Sequence, residues 1–451
     1  MNDNNYDNSR RKFLRNAASA GIIGAIGINS FLTSCQSSKK REYTFPPMLD
    51  RAPDGPLLKA GIVGCGYRGT GAALNFLNAG PNVEIVALAD VFQDRIDACR
   101  LKIKEQKGIE ISPNKCFSGI NSFEKLMNCD IDIVILATPP HFRPQHFEAC
   151  VKAKKHVFME KPIAVDPVGV RSVMVSAEKA KMLGLSVVTG TIKRHQQDYI
   201  ETFKQVAKGE IGEIVSANSY YNVGKLWHRN PRANWSELEN MIRNWVNWCW
   251  LSGDHIVEQN IHNLDTVNWF LGKHPEKALG FGARHQRITG DQYDMFSVDF
   301  VYDKDVHYHS MCRQINDCSN VISDRIQGSK GSTNCENTIY NPDGSVKWTF
   351  DYPGKGNSSN LSRLATNPYD QEHIDLLTAI RTGKPVNEAS QIAESTLTGI
   401  MGRISAYTGK EVSWEEMMNS DLYLGPKTYI IKNVNIPKEV PKPGTGPKTA
   451  K

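Results

Sequence analysis

Between residues 57 and 158, short apolar runs alternate with stretches of helical periodicity. Strands are expected at Leu57–Val63, Val83–Leu88, Ile133–Ala137 and His156–Phe158, and helices at Thr70–Leu77, Arg95–Lys104, Phe123–Leu126 and Pro144–Lys152. That alternation reads as βαβ units around a parallel sheet, to which Leu185–Thr189 adds a further strand. Beyond residue 190 the period changes to two in longer, aromatic-rich runs: Ile214–Tyr221, Ala278–Arg284, Asp294–Val301, Val306–Arg313 and Asn320–Gln327. Such alternation indicates a mostly antiparallel sheet with one buried face. A long helical insert, Trp235–Leu271, lies between the first two of these strands, and helical periodicity returns at Asp370–Ile380 and Ser390–Tyr407. The expected organisation is an α/β domain over 57–190 followed by an α+β domain over 191–436 with a large, mostly antiparallel sheet.

The two ends read differently. Residues 36–56 are polar and broken by Pro46, Pro47 and Pro56, which suits a linker, and the Pro/Lys/Gly-rich stretch 437–451 suits an irregular tail. Within residues 1–35, Ser9-Arg10-Arg11-Lys12-Phe13-Leu14 matches a twin-arginine export signal, and Ala17–Phe31 supplies its apolar region. Leu32-Thr33-Ser34-Cys35 resembles a lipoprotein box, which would place a lipid anchor on Cys35. A periplasmic destination, membrane-anchored where Cys35 is lipidated, and a partnership with the twin-arginine machinery follow as expectations. No spanning helix is implied.

The formal charge of +6 sits at these ends: residues 1–35, 36–60 and 427–451 carry +2, +2 and +5, which leaves about −3 for the body. Nucleic acid is therefore not an expected partner. The ten cysteines show no CxxC pair and no zinc-like spacing, so they read as small buried hydrophobes.

Ala60-Gly61-Ile62-Val63-Gly64-Cys65-Gly66-Tyr67-Arg68-Gly69 is a strand ending in G-x-G-x-x-G and entering a helix. Gly64 permits the tight turn, Gly66 lets the backbone approach a pyrophosphate, and Gly69 lets helix and strand pack closely, with the helix N-terminus facing the phosphates. The second strand ends at Asp90, about twenty residues on, where a carboxylate accepts from ribose hydroxyls and repels a 2′-phosphate. NAD is the expected cofactor of a Rossmann domain, although Arg95 lies close by.

After the fourth strand comes Ala137-Thr138-Pro139-Pro140-His141, and after the fifth Glu160-Lys161-Pro162. Together with the glycine loop these segments resemble the Gfo/Idh/MocA family of glucose-fructose oxidoreductase and inositol 2-dehydrogenase, over about Leu57 to Tyr407. The resemblance implies NAD lined by Tyr67, Arg68, Thr138, Pro139, His141, Glu160 and Lys161, with Lys161 beside the nicotinamide and the reacting hydroxyl; export implies that the NAD stays tightly bound, since free NAD is scarce outside the cytoplasm. An ammonium there can relay a proton or hydrogen-bond a developing alkoxide. Lys161-Pro162 is also a possible cis peptide.

The family's second signature is an acid four residues before a histidine. Here it is Glu258 and His262, with Glu where inositol dehydrogenase has Asp. At i and i+4 the two would share a helix face. His262 is the candidate general base, because a neutral imidazole titrates near the working pH. His255, Glu258 and His262 also have metal-compatible spacing, but hydride transfer to NAD needs no metal and none is expected. His307 and His309 alternate on a strand, where they could face a site.

On the substrate side, Arg243, Asn244 and Trp245 combine guanidinium and amide donors with a ring, the mixture a sugar needs. Lys193 and His195 correspond by resemblance to the cleft edge. The expected activity is hydride transfer between a sugar, glycoside or inositol alcohol and NAD, in a homo-oligomer. Two alternatives compete with it: an exported glycosidase using NAD transiently, and a non-catalytic sugar-binding lipoprotein. Retention of Glu160-Lys161-Pro162 and Ile261-His262 favours the dehydrogenase.

Overall fold

The computed structural model describes residues 45, 47–354, 360–429 and 434–444; the export signal, the lipoprotein box and Cys35 lie outside them. The first domain runs β1 (Leu58–Val63), α1 (Tyr67–Asn78), β2 (Val83–Asp90), α2 (Gln93–Lys107), β3 (Cys116–Ser118), α3 (Ser122–Met127), β4 (Ile133–Leu136), α4 (Arg143–Lys152), β5 (His156–Met159), α5 (Pro167–Met182) and β6 (Val187–Thr189). Its six strands pair in parallel in the order β3-β2-β1-β4-β5-β6. The order reverses between β1 and β4, which opens a crevice at the carboxyl ends of those strands.

The second domain contributes α6 (Gln197–Ala207), β7 (Ile214–Val223), α7 (Glu237–Arg243), α8 (Cys249–Ser252), α9 (His255–Glu258), α10 (Ile261–Leu271), β8 (Lys277–Ala283), β9 (Met295–Tyr302), β10 (Val306–Gln314), β11 (Val321–Gly328), β12 (Gly331–Thr333), β13 (Thr338–Tyr340) and β14 (Val346–Thr349). It continues with α11 (Pro368–Arg381), α12 (Ala389–Thr408), β15 (Val412–Ser413) and α13 (Trp414–Asn419). Nine strands form one sheet in the order β14-β13-β12-β11-β7-β10-β9-β8-β15, antiparallel except where β7 and β10 run side by side. The period-two pattern works as expected: Phe296, Val298, Phe300 and Tyr302 of β9 are buried, and the residues between them lie on the open face.

Three expectations are corrected. The linker does not stop short of the fold, because Ala52 is buried, its N–H donates to the Ala79 carbonyl, and Leu49 packs on the first domain's core. Likewise the tail is held as far as Gly444, whose N–H donates to Thr408. And α11, although late in sequence, delivers Ile374, Leu376 and Leu377 to the core beneath β1, β2 and β5. The domains are therefore not contiguous blocks of chain.

The insert 235–271 is not one helix but four short ones. Gly253 and Asp254, at φ +84° and +70°, interrupt it. Asp254 tolerates that conformation because its buried carboxylate accepts from the His255 and Tyr293 N–H groups and from the Tyr407 hydroxyl. Arg403 of α12 fixes the same corner to the first domain, donating to the carbonyls of Gly253 and Val165. No described helix is long and apolar enough to cross a membrane.

Candidate active site

The glycine loop has the form a dinucleotide requires. Gly64 adopts φ +98°, and a Cβ there would come within 2.7 Å of the Ala137 backbone; a Cβ on Gly69 would meet the Gly64 carbonyl at 1.8 Å. A Cβ on Gly66 would meet nothing, so the space beside it is open. Gly66 caps α1 without a side-chain acceptor, leaving the first N–H groups of the helix available to an anion. Asp90 closes the turn by accepting from the N–H groups of Cys65 (2.7 Å) and Phe92 (2.9 Å). Burial raises its pKa, and those two donors and Arg95 act against that. Tyr67 stands 95% exposed at the head of α1.

Arg68 and Glu160 are placed differently from expectation. The Arg68 guanidinium bonds Glu160, pairs with Glu372 of α11 at 3.1 Å and lies over the Tyr369 ring. Burial pushes Glu372 up to about 8 despite the nearby guanidinium. Through their side chains Arg68 and Glu160 thus dock α1, the tripeptide after β5 and α11 together. Past β4, Thr138 bonds His146, and the buried His141 meets the hydroxyl of Tyr429 at 2.9 Å. Pro139 precedes a short 3₁₀ turn.

Lys161 crosses to the second domain. Its Nζ donates to the Glu258 carbonyl at 2.7 Å and lies 3.7 Å from that residue's carboxylate. The carbonyl is free because the helix breaks after Glu258: the His262 N–H turns to Gln259 instead, in a long 3.4 Å contact. The expected contact between Glu258 and His262 is not among the described hydrogen bonds. Glu258 partners Lys161 and Gln259, and no described residue hydrogen-bonds the His262 ring. Burial, then the charges of Lys161 and Lys193, hold the His262 imidazole well below its ordinary pKa, so it is a neutral base at working pH.

Lys193 lies beside this group, donating to Asn263 (3.0 Å) and the buried Asp324 (2.6 Å). The sequence did not single out Asn263, Asp324, Gln259 or Tyr221. Tyr221 donates to Gln259 and its ring stacks toward His262 at 6.4 Å; its inward position on β7 was the only available signal.

Four substrate candidates are engaged by other protein groups. His195 is 2% exposed between Asp375 and Glu388, which hold it protonated well above its usual pKa although burial opposes the charge. Arg243 joins Asp94 of α2 to Glu239, over the Phe92 ring. Asn244 is buried and ties down the backbone of Arg229. Trp245 packs in the apolar cluster around Trp250. The other candidate histidines have protein neighbours of their own: His255 packs edge-on to Phe296, His307 pairs with Asp299 on the open face of the second sheet, and His309 bonds Ser297 there.

A glycine loop in the first domain and the Lys161–Glu258 bond to the second define the candidate site. Residues 58–189 match the oxidoreductase family's NAD-binding Rossmann fold, and residues 204–391 match its C-terminal alpha/beta domain. The chain belongs to the Gfo/Idh/MocA family. Similar curated proteins include 2,7-anhydro-N-acetylneuraminate hydratase of Escherichia coli K12 (26% identical, 50% of this chain and 53% of the relative) and inositol 2-dehydrogenase of Salmonella typhimurium LT2 (25%, 48% and 55%). The chain spans about half the length of these curated relatives. Among solved structures, apo scyllo-inositol dehydrogenase of Lactobacillus casei superposes with TM-score 0.60 at 20% identity, over 79% of this chain and 98% of its own. The same enzyme with bound NAD(H) and scyllo-inositol gives 0.58 at 19%, over 79% and 99%. The first domain of this chain is thus the NAD-binding Rossmann fold of its family.

Proposed function

We propose that the protein is an NAD-dependent oxidoreductase moving a hydride between a secondary alcohol of a sugar, glycoside or inositol and its dinucleotide. The observation that carries this reading is the Lys161–Glu258 hydrogen bond, which brings the tripeptide after β5 and the His262 segment to one place. NAD bound along the glycine loop would supply a hydride acceptor at nicotinamide C4. His262, neutral and without a hydrogen-bond partner among the described residues, takes the hydroxyl proton; Lys161 donates to the alcohol oxygen as charge develops on it. Lys193, held by Asp324 and Asn263, supplies a fixed donor on the substrate side. The inositol dehydrogenases among the relatives support a polyol substrate. The experiment adds NAD and a panel of inositols, aldoses, glycosides and their keto forms to the purified protein and follows absorbance of reduced nicotinamide. A trace in which not even one equivalent of bound cofactor is reduced, together with no conversion of any compound, would overturn the proposal.

A second reading, oxidation and re-reduction within one cycle with no net redox change, is favoured by the hydratase among the relatives. It would show as conversion of substrate without accumulation of reduced cofactor.

The twin-arginine run and Leu32-Thr33-Ser34-Cys35 support export of the folded protein to the periplasm, with a lipid on Cys35. Labelled palmitate should enter the wild-type chain and not Cys35→Ala. Homo-oligomer formation is supported by the open face of the second sheet, where Phe281 is 72% and Leu279 54% exposed and Met311 lies in the same row through Ser297. A second copy is the proposed occupant. Light scattering should show an oligomer that Phe281→Asp dissociates; a wild-type monomer at all concentrations would refute it.

A further inference from the structure

The C-terminal segment beyond α13 does not hang from the second domain. Its two described stretches, 420–429 and 434–444, run across both domains. At one end Arg171 of α5 donates to the carbonyls of Met418 and Ser420, and the Leu424 N–H donates to Asp166, the buried cap of α5. At the other end Lys438 pairs with Glu237 of α7, Tyr293 donates to the Pro441 carbonyl, and Gly444 bonds α12. Between these anchors the Tyr429 hydroxyl meets His141 at 2.9 Å. Gly425 lies so close to the same imidazole that a Cβ would come within 2.1 Å of it.

What this segment covers is specific. Leu424, Tyr429, Val434 and Ile436 pack with Phe142, Trp250 and Met241 in one apolar cluster, against which Val91, Phe92 and Ile120 also lie. Val91 and Phe92 directly follow β2 and Asp90, Ile120 follows β3, and His141 and Phe142 follow β4. These are the carboxyl ends of the strands, where a doubly wound sheet binds its dinucleotide. The covering segment lies outside the stretch shared with the family, whose match ends at residue 391. It is built to stay in place, since its contacts are a buried cap, an ion pair and an apolar cluster rather than a loose loop.

We propose that this segment is a clasp over the dinucleotide crevice, which makes NAD a resident cofactor that does not exchange with solvent between turnovers. The inference rests on the reading that the crevice binds NAD. A resident cofactor must be returned to its starting oxidation state by a second substrate or by the same molecule, so the clasp points to a closed redox cycle on carbohydrate alone.

The test loads the full-length protein with NAD, removes free cofactor, and follows uptake of the fluorescent etheno analogue of NAD offered in excess. Exchange should be slow in the wild type. It should be about tenfold or more faster in Gly425→Val, which pushes the segment off His141, because changes in how a ligand is held appear mainly in its release rate. Tyr429→Phe removes one hydroxyl from the surface of the cluster and should also accelerate exchange; it decides the matter if Gly425→Val does not fold. Rapid exchange in the wild type, or equal rates in all three, would overturn the clasp while leaving NAD binding intact. A wild-type protein that takes up neither dinucleotide at saturation would overturn NAD binding itself, and the clasp with it.

Discussion

Lys161→Ala and His262→Ala should each slow single-turnover reduction of bound NAD by about 10²–10⁴, the usual worth of a positioned acid or base. Both should still hold NAD, because the glycine loop and Asp90 are built from β1, β2 and α1 and take no support from either side chain. The pH dependence separates the two residues. An unperturbed imidazole would give a rate that rises through about pH 6–7. Here burial and two neighbouring ammonium groups hold His262 well below that range, so its neutral, proton-accepting form is already populated there. The wild-type rate should therefore be flat across pH 6–7 and fall only in more acidic solution. In Lys161→Ala one of the depressing charges is gone, so the acidic limb should move up toward the ordinary histidine range. In His262→Ala that limb should vanish. Near-normal rates in both variants would place the chemistry elsewhere. A wild-type limb centred on the ordinary imidazole value would mean that His262 is hydrated during turnover.

The largest effect on cofactor binding is expected from the smallest substitution. Gly66→Ala adds a methyl group that meets no protein atom within 4 Å, at φ −71° and ψ −171°, which any residue adopts. The folded protein should be as stable as wild type, or more stable by up to about 1 kcal/mol, since alanine restricts the unfolded chain. The space that the methyl group fills is the approach to the pyrophosphate, so NAD affinity should drop about 100-fold, equivalent to about 2.7 kcal/mol. Gly69→Ala is the contrast: its Cβ would lie 1.8 Å from the Gly64 carbonyl, and relieving that clash between α1 and β1 should cost about 1–3 kcal/mol of stability together with NAD binding. Thermal melts of cofactor-free protein and calorimetric NAD titrations distinguish the two. Wild-type NAD affinity in Gly66→Ala would show that no pyrophosphate lies against this loop.

The parts legible in the sequence are those fixed by local rules. Period and breakers located β1, β2, β4 and β5 and the long strands of the second sheet, because side-chain alternation and buried runs are properties of a few consecutive residues. Glycine spacing located the cofactor loop for the same reason: the demand for a missing Cβ is set within one turn. Lys161, Glu258 and His262 could be nominated; Lys161 and Glu258 meet in one hydrogen bond across the domains, and the charge of Lys161 lowers the pKa of the buried His262. Partner choice was not legible. Arg68, Glu160, His195, Arg243 and Asn244 have the chemistry of ligand-binding residues, yet each is engaged by a protein group from another element: Glu160 and Glu372 with Arg68, Asp375 with His195, Asp94 with Arg243, Arg229 with Asn244. A polar side chain carries no mark of whether a ligand or a distant carboxylate will satisfy it. The helix interruption at Gly253-Asp254 and the break after Glu258 depended on long-range partners, Tyr293, Tyr407 and Lys161, which compensate backbone groups that a regular helix would have paired internally. The sequence by itself determined the strands, the glycine loop and the types of reactive groups, since those follow from steric and hydrophobic rules acting over a turn or two. Only the tertiary structure decided which charges are neutralised within the protein, because that depends on bringing together residues as far apart as Arg68 and Glu372 or His195 and Asp375.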